Sequence, residues 1–299
     1  MDIALIGLGK MGLNLAKNLI RNSHKVYAYD LSESNMKLAS EAGAITGNTM
    51  KDAVEKIKGK KVIWLMIPAG DPVDETISLL KPSLRKEDIV IDGGNSNYKD
   101  SIRRYKALKE QGVDFLDCGT SGGLSGALNG ACTMVGGEKE VYQYCKPVFD
   151  DISVPNGSLY VGVPGSGHFV KMVHNGIEYG MMQAIAEGFE MIEKSAFDVN
   201  YEELAKVWNH GSVIRGWLME LTQSAFSKNQ KLDNIKGIMH SSGEGKWAME
   251  TALELEMPAP IMALSLMMRY RSQETDTFSG KVVAALRNEF GGHKVEKAV

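Results

Sequence analysis

Four side chains in one short segment can handle protons and oxygens. Lys171, His174, Asn175 and Glu178 fall at i, i+3, i+4 and i+7. On an α-helix these positions share one face, with Tyr179 at its margin; Val170, Met172, Val173 and Ile177 take the other. A neutral amine is a base and its conjugate acid an electrophile, and a carboxyl held protonated is a proton donor. A histidine and an amide add groups that bind an oxygenated substrate. Gly176 and Gly180 thin the helix where something could approach. Two glycine-rich stretches follow candidate strands: Asp92-Gly93-Gly94-Asn95-Ser96 and Cys118-Gly119-Thr120-Ser121-Gly122-Gly123. Ser121 with Gly122 and Gly123 offers a hydroxyl and open backbone N–H groups, a cradle for a carboxylate. Spacing alone leaves plainer alternatives: a solvated stripe with a Lys/Glu pair, and two ordinary turns.

A second constellation opens the chain. Gly7-Leu8-Gly9-Lys10-Met11-Gly12 fits G-x-G-x-x-G between a predicted strand and a predicted helix. The first glycine permits the tight turn, the second lets a pyrophosphate reach the backbone, and the third lets helix and strand pack closely. Lys25-Val26-Tyr27-Ala28-Tyr29-Asp30 reads as a second strand ending in a carboxylate, eighteen residues beyond Gly12. That is the place of the acid that binds an adenosine ribose and repels a 2′-phosphate. The pattern predicts NAD in preference to NADP; Met66 and Ile67, at the end of a later strand, and Asn95 are also expected on the cofactor. A plain tight turn, and Asp30 as a helix cap, are the competing readings.

These groups need a frame. Candidate strands Ile3–Ile6, Val26–Tyr29, 62–67, 89–91 and 113–116 alternate with helical patterns near 11–21, 33–41, 50–58, 72–80 and 99–111. Near-continuous apolar strands between helices predict a parallel sheet covered on both faces. Residues 133–135 and 159–161 are candidate edge strands. After Pro164 the texture is helical: 168–194, 201–209, 213–226, 246–256, 260–271 and 280–289. The expected fold is α/β: a Rossmann-type domain over 1–164, then an all-helical domain over 165–299. The catalytic stripe would begin just after that junction, where ligand clefts tend to form.

Composition narrows the function classes. The 299 residues are 43% hydrophobic, enough for a substantial core in about two domains. Thirty-four Lys+Arg against 37 Asp+Glu give a net charge of −3, which disfavours nucleic-acid or membrane-surface binding through bulk positive charge. Three cysteines without close pairing suggest a reducing compartment and no metal centre. No leader or bilayer-length apolar run is read, so a soluble cytoplasmic protein is expected.

Together these pieces resemble the 6-phosphogluconate dehydrogenases, in a compact NAD-preferring form, within the β-hydroxyacid dehydrogenase family. Most specific is the string from Gly165 through His168-Phe169-Val170-Lys171-Met172-Val173-His174-Asn175-Gly176-Ile177-Glu178-Tyr179 to Gly180. The likeness continues through Ser242-Gly243-Glu244-Gly245-Lys246-Trp247, Arg269 and the segment from Arg287 to His293. It implies oxidative decarboxylation of 6-phosphogluconate to ribulose 5-phosphate and CO2, with Lys171 as base and Glu178 as acid. By the same resemblance Asn95, Ser121, Gly122, Gly123, His174, Asn175, Tyr179, Arg269, Arg287 and His293 would hold the substrate, a sugar-acid phosphate. The family's tail arginine and histidine come from a neighbouring subunit, so a homodimer or homotetramer with shared sites is expected. Longer relatives carry a lysine and a threonine where Ser242 and Glu244 stand, which puts phosphate recognition on the remaining residues. That departure keeps alive a dehydrogenase of a small unphosphorylated β-hydroxy acid. A non-catalytic NAD-binding regulator is the third reading, though it has no need of Lys171 and Glu178.

Overall fold

The structure, a computed structural model, describes residues 1–296, with no account of the Phe290 side chain; the last three residues of the helical domain expected over 165–299 lie outside it. The chain divides into two compact units, Met1–His174 and Asn175 onward.

The first unit is built on an eight-stranded sheet. In chain order it runs β1 (Asp2–Ile6), α1 (Lys10–Arg21), β2 (Lys25–Tyr29), α2 (Glu33–Glu41), β3 (Ile45–Thr46), α3 (Met50–Glu55), β4 (Val62–Leu65) and α4 (Asp71–Leu80). It continues with β5 (Ile89–Asp92), α5 (Tyr98–Lys109), β6 (Asp114–Ser121), α6 (Gly123–Asn129), β7 (Ala131–Gly137), α7 (Lys139–Ile152) and β8 (Ser153–Gly162). The strand order is β3-β2-β1-β4-β5-β6-β7-β8. The order turns back between β1 and β4, so their carboxyl ends form the crevice where such sheets bind ligands.

Alternation along each strand buries both faces. Ile3 and Leu5 join Trp64, Ile91, α1 and α7 on one side. Ala4 and Ile6 join Ile63, Leu65, Val90, α3 and α4 on the other. This two-sided burial is why the strands read as continuous apolar runs.

Four features depart from the expected parallel sheet, the first being β3, a short edge strand that matches no expected one. β6 runs on to Ser121, five residues beyond the predicted end, so the second glycine-rich stretch is mostly strand. β7 then pairs with β6 antiparallel, because the short α6 connection cannot make a crossover. β8 is longer than expected, with a register break where Pro155-Asn156-Gly157 bulges out. α7 went unread in the sequence, where Pro147 looks like a breaker; its buried Val141, Cys145, Val148, Phe149 and Ile152 keep helical spacing.

The long helix α8 (Ser166–Glu193) begins in the first unit and ends in the second. The second unit continues with α9 (Tyr201–Gly211), α10 (Trp217–Lys228), α11 (Gly243–Glu254), α12 (Pro260–Ser272) and α13 (Phe278–Gly291). Phe189 of α8 anchors its core, with ring centroids 4.8 Å from Phe226 and 5.4 Å from Trp208. What approaches the thin stretch of α8 is a helix rather than a ligand. A Cβ on Gly176 would lie 2.8 Å from Met262 Sδ, and one on Gly180 would lie 3.2 Å from Ile261. No helix among the described residues is long and apolar enough to cross a membrane.

Candidate active site

At the sheet's switch point the three loop glycines meet different surroundings. Gly7 (φ +95°) has no room for a side chain, since a Cβ would lie 2.4 Å from the Met66 carbonyl at the end of β4. A Cβ on Gly12 would fall 1.9 Å from the Gly7 carbonyl, which locks α1 against the turn. Gly9 has nothing within 4 Å, and α1 begins without a side-chain cap. Open space over uncapped helix N–H groups suits a pyrophosphate. These residues therefore fit a dinucleotide.

Asp30 lies just after β2, with one oxygen on this turn and the other on the start of α2. Oδ2 accepts from the Leu8 N–H, and Oδ1 accepts from Ser32 N (2.8 Å) and Asn35 Nδ2 (3.2 Å). It thus also serves as the turn residue of the competing reading. The Leu8 side chain is fully buried. Lys10 is exposed, while Met11, Met66 and Ile67 are half-buried around the turn and the end of β4.

The loop after β5 hangs on a buried carboxylate. Asp92, fully buried, accepts from Ser96 Oγ (2.7 Å), Gly94 N (3.2 Å) and Arg104 Nη1 (3.3 Å). Arg104 is clamped in turn by Asp74 (2.9 Å). Its guanidinium, with Arg103 beside it, holds the Asp74 carboxyl down at about 2, against the upward push of partial burial. Asn95 projects from this braced loop, exposed.

The polar stripe of α8 is not a solvated one. Lys171, Asn175 and Tyr179 are 6%, 8% and 6% exposed, and His174 and Glu178 are half-buried; Ile177, on the apolar face, is 50% exposed. Burying the polar side of a helix is costly unless its groups are used. In the first unit β6 faces the start of α8 with every second residue. Asp117 accepts from Gly165 N (2.7 Å) and His168 N (2.8 Å). Gly119 lies beneath Lys171, whose Cβ would be 2.3 Å from a Cβ placed there. Ser121 Oγ is 3.2 Å from His174 Nε2, and His174 Nδ1 is 3.5 Å from Lys171 Nζ. One tautomer satisfies this chain: the lysine donates to Nδ1, and Nε2–H donates to the serine. Gly122 (φ +120°) and Gly123 (φ +57°) then turn the chain into α6, with nothing within 4 Å of the Gly123 Cβ position.

Comparison with known proteins agrees along the whole chain. Residues 2–162 match the NAD binding domain of 6-phosphogluconate dehydrogenase, and residues 167–297 match the C-terminal domain of 6-phosphogluconate dehydrogenase. The chain belongs to the 6-phosphogluconate dehydrogenase family. A Haloferax volcanii relative, named an NAD(+)-dependent, decarboxylating 6-phosphogluconate dehydrogenase, is 42% identical over 299 residues, covering 99% of each chain. YqeC of Bacillus subtilis, provisionally named a 6-phosphogluconate dehydrogenase, is 56% identical over 297 residues, covering 99% of this chain and 100% of its own. A Plasmodium falciparum 6-phosphogluconate dehydrogenase structure superposes with a TM-score of 0.82 at 34% identity; it matches 100% of this chain and 66% of its own.

In the second unit of this family member a further cluster forms around Tyr179. Its hydroxyl is 3.2 Å from Ser242 Oγ and accepts from Ser242 N (3.1 Å). The Arg269 guanidinium lies 3.5 Å over its ring and donates to the His240 carbonyl (3.0 Å). A Cβ on Gly245 would lie 2.6 Å from the ring, so α11 starts directly against it. Ser242 occupies the N-cap position of α11 without capping it, having turned to Tyr179 instead. Glu244 beside it is 4% exposed. Arg287 and His293 stand exposed on the last turn of α13 and just beyond. Among the described residues the Arg287 side chain makes no hydrogen bond or ion pair with the Tyr179 cluster. Also among the described residues, no group of three His, Cys, Asp or Glu side chains is arranged to hold a metal ion.

The sequence reading missed Asp117 and the Asp92–Arg104–Asp74 brace. Their one signal is acidic residues in otherwise apolar strands, which need a partner to be buried.

Proposed function

We propose that the chain catalyses oxidative decarboxylation of 6-phosphogluconate to ribulose 5-phosphate and CO2 with NAD in preference to NADP. The carrying observation is the buried polar stripe of α8, with Lys171 and His174 tied to Ser121 of β6. Residues 7–12, Asp30, Met66, Ile67 and Asn95 hold the cofactor, and Asp30 disfavours a 2′-phosphate by charge. When bound, NAD supplies the acceptor for the hydride leaving C3.

Neutral Lys171 takes the C3 hydroxyl proton. The resulting ketone lies β to the carboxylate, and so accepts the electrons released as CO2 departs. Lys171, now an ammonium, returns its proton to the oxygen on C3; Glu178 then protonates C1 of the enediol while Lys171 takes the hydroxyl proton back, which leaves the ketone of ribulose 5-phosphate. No metal is required in this scheme, because the ammonium polarises the C3 oxygen. Ser121, Gly122 and Gly123 hold the carboxylate, His174 and Asn175 bind hydroxyls, and Asn95 serves the junction of nicotinamide and substrate. Tyr179 and Arg269 take the phosphate, with Arg287 and His293 supplied by a second copy. Residues 1–164 serve the dinucleotide, and 165–299 serve substrate and self-association. The working form is a homodimer or homotetramer in the cytoplasm; self-association accords with the exposed apolar Ile261, Leu264, Met267, Phe278, Val282 and Leu286 of α12 and α13.

The test is a substrate panel followed by the absorbance of the reduced nicotinamide and by released CO2. Reduction with 6-phosphogluconate, one CO2 per cofactor, is expected. Preference for gluconate or 3-hydroxyisobutyrate would transfer the reading to an unphosphorylated β-hydroxy acid, and no reduction at all would favour a regulator.

A further inference from the structure

We propose that Asp117 is a positioning residue for the reaction, setting the rotation of α8 and hence the place of Lys171 and His174. This rests on the reading that Lys171 acts on the substrate.

Asp117 is fully buried on β6, with no cation within ion-pairing distance among the described residues. Its charge is met by the N–H of Gly165, just before α8, and of His168 in the helix's first turn, one on each oxygen, where the helix dipole also favours an anion. A serine or asparagine could cap a helix without burying a charge. The carboxylate adds a two-point grip on Gly165 and His168, and two points fix rotation about the helix axis where one does not.

Surrounding contacts leave no slack. A Cβ on Gly167 would lie 2.3 Å from the Asp117 carbonyl, so the first turn rests on the strand itself. His168, 2% exposed, bonds through Nδ1 to Ser101 Oγ (2.7 Å) on α5, while its Nε2 is buried without a hydrogen-bond partner. Gly165 (φ +93°) presses on Ile102 of α5, and the Phe169 and Tyr98 rings meet edge to face at 5.2 Å. α5 starts just after the loop that carries Asn95. The same turn of α8 is therefore referenced both to the strand under Lys171 and to the helix behind Asn95.

Leverage makes the grip matter. A rotation of about 10° carries a lysine tip, roughly 8 Å from the helix axis, about 1.4 Å sideways. Misplacement on the order of 1 Å costs on the order of 100-fold in rate.

The experiment compares the full-length parent, Asp117→Asn, Lys171→Ala and the double variant, measuring kcat, the KM for NAD and for 6-phosphogluconate, and circular dichroism. Asp117→Asn is expected to lose roughly 10- to 100-fold in kcat with the KM for NAD within about twofold. Because the residue acts through Lys171, the double variant should be no slower than Lys171→Ala alone. Near-parental kcat in Asp117→Asn beside an inactive Lys171→Ala, or losses that multiply in the double variant, would overturn the positioning role. Near-parental turnover in Lys171→Ala would overturn the assignment of Lys171 instead. If Asp117→Asn does not fold, Ser101→Ala tests the same seating from α5: about a threefold or greater fall in kcat at constant KM for NAD supports it, and unchanged kcat overturns it.

Discussion

Gly119 and Lys171 share one space: the lysine Cβ sits where a side chain on the glycine would have to go, 2.3 Å from that ideal Cβ position. The glycine leaves room for α8, which at Lys171 lies directly on the strand. Adding one methyl group at this point must push Lys171 off β6 and away from the Ser121–His174 contact. Gly119→Ala should therefore lower kcat by roughly 10- to 100-fold, with the KM for NAD nearly unchanged. Steady-state kinetics with NAD and substrate varied in turn checks it; an unchanged kcat would show that the lysine is not held by the strand.

Glu178 sits half-buried two turns along from Lys171 on the same helix face. The proposed role as proton donor to C1 needs an acidic hydrogen, which an amide of the same shape lacks. Glu178→Gln should slow turnover by about 100-fold while cofactor affinity holds. An unaltered rate with 6-phosphogluconate would return Glu178 to the ordinary polar stripe.

Asp30 places a negative charge beside the glycine turn; on the proposed reading a 2′-phosphate would have to sit there. Neutralising it removes the repulsion but also one oxygen that accepts from the loop backbone. Asp30→Asn should narrow the ratio of kcat/KM for NAD over NADP by about tenfold or more, chiefly through KM. Equal use of both cofactors by the parent chain would contradict the role of the charge.

The Asp74–Arg104 clamp gives a pH dependence of stability. The folded carboxyl titrates at about 2, below its ordinary value of 3.8, so the clamp stabilises the fold above that ordinary value. Its contribution fades as pH falls from 3.8 through about 2. Melting curves of the parent and Asp74→Asn should differ at neutral pH and converge in that window. A gap that persists below it would mean the clamp acts by something other than charge. Because Arg104 also bonds Asp92, the same variant should loosen the loop that presents Asn95.

Much of this was legible before the fold. The spacing of Gly7, Gly9 and Gly12 foretold which glycine meets backbone and which meets open space, because each role follows from one steric rule. The stripe on α8 was legible as a helical face, but its burial was not: periodicity says which side chains share a face, not which face is covered. Asp117 was invisible for a different reason. It stands alone in an apolar strand, and the N–H groups it serves lie 48 and 51 residues further along. Ser242 looked like a lost phosphate ligand, and its contact with Tyr179 across 63 residues carries no local signal. Pro147 hid α7 because a proline's cost in a helix is local, whereas the apolar residues that outweigh it are spread over about three turns.

The most direct measurement is turnover by Lys171→Ala with 6-phosphogluconate, made alongside calorimetric titration of the same protein with NAD. The expected result is near-complete loss of turnover, by about 100-fold or more, with NAD affinity within about twofold of the parent. Substantial turnover by a folded, NAD-binding Lys171→Ala would contradict the assignment of that amine as the base.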